Sequence, residues 1–90
     1  MAKLTKPEIL DRTFAMLVRE WQLPEVPYAD DSLRDAPPDG LGKNDNIMRA
    51  LKNPIERRYF ADLGVTVDGQ DLEDAKTVSD LRDVIWEGQP

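Results

Sequence analysis

The sequence predicts an all-α fold. Two helix-start signals stand near the ends of the chain, at Thr5-Lys6-Pro7-Glu8 and Thr77-Val78-Ser79-Asp80. Each is followed by apolar residues recurring every three or four positions, the spacing that puts them on one face of a helix. The one alternating stretch, Val65-Thr66-Val67, is too short to be a strand without a partner, and the chain offers it none.

The first helix is expected over about 5–21. Thr5 and Glu8 form a capping box, and Pro7 falls in the first turn, where its missing N–H does no harm. Leu10, Phe14, Leu17 and Trp21 form the apolar stripe, widened by Ile9 and Val18, and Pro24 marks the end. Residues 22–43 contain four of the seven prolines and no periodic pattern, so they read as a long loop. Val26, Tyr28, Leu33 and Leu41 are its expected anchors on the core. Asp31 to Arg34 suits one helical turn, and Ala36 to Gly40 suits a tight turn.

Asn44-Asp45-Asn46 supplies N-cap candidates for a helix over about 44–52. Asn53-Pro54 reads as a break and a new start, giving a further helix over about 54–62 with Ile55, Tyr59, Phe60 and Leu63 on its apolar face. Gly64 fits the stop. Residues 65–68 then run extended, a short turn of helix falls at about 69–75, and the last helix spans about 77–86 with Val78, Leu81, Val84 and Ile85 inward. A chain of this length is expected to be one domain over 1–90, and a monomer.

Composition narrows the function. The formal net charge is −6. That opposes nucleic acid as a partner, because phosphate binding needs a surplus of Lys and Arg. The charge is segregated: −2 over residues 1–43, +2 over 44–60 and −6 over 61–90. There is no cysteine and no histidine, which removes thiolate chemistry, the commonest general base and the usual metal ligands. The acidic pairs Asp30/Asp31 and Glu73/Asp74 read as solvated surface, and Asp71, Glu73 and Asp74 at most as a weak cation cluster. The expected class is therefore not an enzyme, and no metal is called for. No apolar run reaches membrane-spanning length and Met1 to Lys6 does not lead into a signal core, so the expectation is a cytoplasmic protein with no membrane partner.

The run from Leu63 to Ile85 resembles the acyl carrier proteins. It holds an alternating stretch at Val65-Thr66-Val67, an acidic turn at Asp71-Leu72-Glu73-Asp74, and a Thr77-Val78 pair opening a helix of pattern V-x-D-L-x-x-x-I. The order of elements matches as well. The resemblance implies a four-helix bundle with a long first loop, and protein partners among the enzymes of fatty-acid, polyketide or peptide synthesis.

Carrier chemistry needs a serine at the start of the second helix, inside Gly-x-Asp-Ser-Leu, to bear 4′-phosphopantetheine. Here Leu41 and Gly42 agree with that pattern, and Asp45 stands where the serine belongs. A carboxylate cannot accept the arm, so the resemblance implies a carrier-like module without the cofactor. Asp31-Ser32-Leu33 keeps an alternative open, a carrier modified at Ser32, although that motif lies in the first loop. An unrelated small helical adaptor is the third reading. The family's second helix is acidic, whereas here Arg49, Lys52, Arg57 and Arg58 make the region basic, which marks them as partner-binding candidates.

Overall fold

The capping box at Thr5 forms as its residue types require: the Glu8 N–H donates to Thr5 Oγ1 and the Thr5 N–H donates to Glu8 Oε1. In the computed structural model, which describes residues 3–90, helix α1 follows over Lys6–Glu20. It ends two residues before Pro24 needs it to. Gln22 takes a left-handed φ of 50° and the Leu23 N–H reaches back to the Val18 carbonyl at 3.1 Å, so the closure is a Schellman turn built without glycine.

After the loop come α2 (Asp45–Arg49), α3 (Lys52–Pro54), a π turn at Ile55–Tyr59 and a 3₁₀ turn at Ala61–Leu63. Asn44 caps α2, its side chain accepting from the Ile47 N–H at 2.9 Å. The expected break at Asn53-Pro54 lies earlier, at Ala50-Leu51. There the backbone stays right-handed, but the Leu51 N–H bonds to Met48, three residues back, instead of continuing the α pattern. Pro54 falls in the first turn of α3, where it is tolerated, and Asn53 caps nothing. Further on, the Phe60 N–H donates to the Ile55 carbonyl, five residues back, and this wider turn accompanies full burial of Phe60. Gly64 ends the region with φ 66°, the left-handed conformation expected at a stop.

Helix α4 (Gly69–Asp74) is capped by Asp68, and α5 (Val78–Glu87) by Thr77 with Asp80 completing a second capping box. The described residues contain no strand. The fold is all-α, with α1 lying against α5 and α2 against α4. A radius of gyration of 12.1 Å matches a compact globule of this length, about 12 Å.

The core gathers Ile9, Met16 and Leu17 of α1, Met48, Leu51, Ile55 and Phe60 of the middle region, Leu72 of α4, and Val78, Leu81 and Ile85 of α5. The buried face of α1 is turned from the predicted stripe. Leu10, Phe14 and Trp21 are only partly buried, while Thr13 is fully buried, its hydroxyl donating to the Ile9 carbonyl at 2.8 Å. Trp21 serves as an edge, with the Lys43 ammonium 4.9 Å from its ring centre. Arg12 ties α1 to the 3₁₀ turn by a bidentate pair with Asp62 at 2.9 and 3.1 Å, and donates to the Tyr59 carbonyl.

The long loop is pinned by backbone bonds. The Leu33 N–H donates to the Lys76 carbonyl at 2.8 Å, Val78 to Asp31, and Lys43 to Leu33. Leu33 is fully buried and Leu41 packs against the core, as expected. Val26 and Tyr28 are not anchors: they are 59% and 75% exposed. This stretch is extended, so side chains alternate, and Pro27 between them takes the inward position. Asp31 to Arg34 forms no helical turn, because Ser32 is drawn into bridges with Gly40 and Thr77.

The extended linker after Gly64 buries Val65 and Val67 and exposes Thr66. With no strand beside it, side chains supply its partners. Glu56 accepts from the Val67 N–H at 2.9 Å, Lys52 donates to the Val67 carbonyl at 2.6 Å, and the two side chains pair with each other at 2.8 Å. The Thr66 N–H donates to the Gly88 carbonyl, an approach so close that a Cβ on residue 88 would collide with the Thr66 carbonyl. At the ends, the buried Gln89 amide accepts from the Leu4 N–H and donates to the Leu4 carbonyl. No helix among the described residues is long and apolar enough to cross a membrane.

The hydrogen bonds from Lys52 and Val67 hold the Glu56 carboxyl below its ordinary value of 4.5, and the Arg12 guanidinium holds Asp62 below 3.8. The unfolded chain therefore takes up these protons first as pH falls. The stabilisation is complete above the ordinary values and is lost as pH drops through the folded ones. Glu56→Ala is expected to cost about 1–2 kcal/mol at pH 7, because it leaves the Val67 N–H without a partner. Urea denaturation should show that difference narrowing at pH 3, where wild-type Glu56 is protonated.

Candidate functional site

The position that decides carrier chemistry is the first residue of α2. Asn44 occupies the cap, so Asp45 points its carboxylate out of the first turn, where the positive end of the helix favours it. Arg34, from the loop, reaches it with Nη2. The same guanidinium donates through Nη1 to the Glu73 carbonyl at 2.7 Å, at the end of α4. Arg34 thus joins three segments that lie far apart in the chain: the loop, the start of α2 and the end of α4. The Glu73 side chain continues the network by pairing with Arg49.

Ser32 lies apart from this arrangement in its chemistry. Its Oγ accepts from the N–H groups of Arg34 at 3.3 Å and Asp35 at 3.0 Å, so the hydroxyl closes the loop turn. Its backbone carbonyl accepts from Leu41. Gly40 is required here, since a Cβ would stand 2.8 Å from the Ser32 carbonyl oxygen and 2.6 Å from that of Asp35. Ser79 is likewise engaged, its Oγ donating to the Ala29 carbonyl at 2.9 Å.

The four basic residues do not form one surface. Arg49 pairs with Glu73 and faces α4. Lys52 is held by Glu56 and Val67. Arg58 reaches Glu20 at 3.5 Å, on the α1 side, where Tyr59 also donates to the same carboxylate. Arg57 is exposed and has no ion pair among the described residues. Charge that looks unopposed along the sequence is largely neutralised within the fold, by acids 4 to 38 positions away.

Among the described residues no group of three acidic side chains is arranged to hold a metal ion, the Asp71, Glu73 and Asp74 turn included. Sequence reasoning missed Arg34 as the residue that organises the start of α2. Its partners lie 11 and 39 positions away, and no local pattern signals such contacts. The chain matched nothing when compared with protein-family models, with curated proteins and with solved structures.

The two ends of the Arg34 network differ in weight. Its pair with Asp45 is exposed and is worth about 0–1 kcal/mol. Its bond to the half-buried Glu73 carbonyl satisfies a helix end. Arg34→Ala is therefore expected to cost about 1–2 kcal/mol in chemical denaturation, whereas Asp45→Asn costs a few tenths. Equal losses would mean that the Glu73 contact carries no weight.

Proposed function

We propose that this chain is an acyl-carrier-like module that works through protein contacts, without a phosphopantetheine arm and without catalysis of its own. The reading is supported by the order of the elements: a long first helix, a long anchored loop, a capped second helical region, an extended linker with Val65 and Val67 inward, a short helix, and a last helix against the first. The observation that carries the armless part is Asp45. A carboxylate held by Arg34 occupies the start of α2, where a carrier has its nucleophilic hydroxyl. Phosphopantetheine transfer replaces the hydroxyl proton by a phosphodiester, and Asp45 has no hydroxyl to offer.

Modification at Ser32 is the less favoured form of the same reading. Its oxygen already accepts two backbone N–H groups, and an attacking oxygen would have to leave that turn. A helical adaptor unrelated to carriers draws on a different observation. The middle region is not one helix but a five-residue helix followed by short α, π and 3₁₀ turns.

Intact-mass measurement after incubation with coenzyme A and a broad-specificity phosphopantetheinyl transferase tests the reading. The expected mass is unchanged. A gain of one phosphopantetheine that disappears in Ser32→Ala would replace the armless reading with the carrier one.

A further inference from the structure

The fold leaves an open groove of about 1050 Å³ between α4, α5 and the linker. Its rim carries Asp68, Asp71, Asp74, Asp80 and Glu87, and Val84 is partly buried at its wall. Among the described residues none of these five carboxylates has an ion-pair partner, whereas Glu20, Asp45, Glu56, Asp62, Glu73 and Asp83 all do. The two cations beside the groove do not offset the rim. Arg49 is paired with Glu73, and Lys52 with Glu56 and the Val67 carbonyl.

A second observation bears on why these charges are there. A helix favours cations at its C-terminal end, because the carbonyl dipoles make that end negative. Helices α1 and α2 follow the rule, with Arg19 and Arg49 in their last turns. Helices α4 and α5 break it: neither has a basic residue in its last turn, and they end on Asp74 and Glu87, which both face the groove. Carboxylates placed against the helix dipole, without partners, work against stability. Departures of this kind from local rules are expected where a surface serves binding.

Resting on the reading of the chain as a module that acts through protein contacts, we infer that this groove docks a Lys- and Arg-bearing segment of a partner protein. The cationic side chains meet the rim and an apolar one rests against Val84. Charge complementarity of this kind speeds encounter and sets the choice of partner.

The test titrates the isotopically labelled full chain with an amphipathic peptide of Lys and Leu, and with its Glu and Leu counterpart, following amide shifts by NMR. Shifts are expected at residues 66–75 and 80–89 with the cationic peptide alone. The variant Asp71→Asn/Asp74→Asn/Glu87→Gln should weaken binding about tenfold, with a melting temperature equal to or above the wild type. Glu25→Gln/Asp30→Asn/Asp39→Asn, which removes the same charge elsewhere, should leave the affinity within about twofold. Equal weakening by both variants, shifts centred away from the groove, or no binding would overturn the assignment. The intact-mass measurement reads the arm separately. A phosphopantetheinylated chain whose groove still maps would remove the armless reading alone, and an unmodified chain without groove binding would remove this inference alone.

Discussion

An extended backbone that buries its side chains must also find partners for its N–H and C=O groups, and in this fold those partners are side chains. Val67 shows the constraint most plainly. Its side chain belongs to the core, its segment has no neighbouring strand, and its polar groups are taken by Glu56 and Lys52. That clamp fixes the path from the middle helices to α4 and α5. Gln89 does the same for Leu4 and brings the last residues back to the first helix. Arg34 does it for the Glu73 carbonyl at the end of α4. Helices account for most of the backbone, but these three side-chain clasps decide how the helices are arranged.

Features that depend on neighbours in sequence were legible in it. Both capping boxes, the Asn44 cap, the stop at Gly64 and the inward alternation of Val65 and Val67 follow from residue types a few positions apart. Features that depend on distant partners were not. The rotation of the α1 face toward Thr13, the exposure of Val26 and Tyr28, and the contacts of Arg34 all depend on packing that no local pattern encodes. Pro54 misled for a related reason. A proline signals a helix start, but a first turn can follow a break that is already made, and here the hydrogen-bond change precedes it at Leu51.

The candidate site divides along the same line. Replacement of the attachment serine by Asp45 was visible in the sequence, as was the basic character of residues 44–60. What those charges do was not. Arg49, Lys52 and Arg58 are engaged with acids of the same chain, so the surface that remains unopposed is the acidic one lining the groove beside α4 and α5. Fold and chemistry thus separate in this molecule: a carrier-like order of elements is kept, while its reactive position holds a structural ion pair and its free charge faces another way.

The measurement closest to the central claim is hydrogen exchange of the Val67 amide. Were the linker merely a connecting loop, that amide would exchange like an exposed peptide. Held by Glu56, it should exchange as slowly as the amides of α4 beside it, and Glu56→Ala should speed it by about 5–30-fold, the equivalent of one lost hydrogen bond. Rapid exchange of Val67 in the wild-type chain at neutral pH would contradict the account.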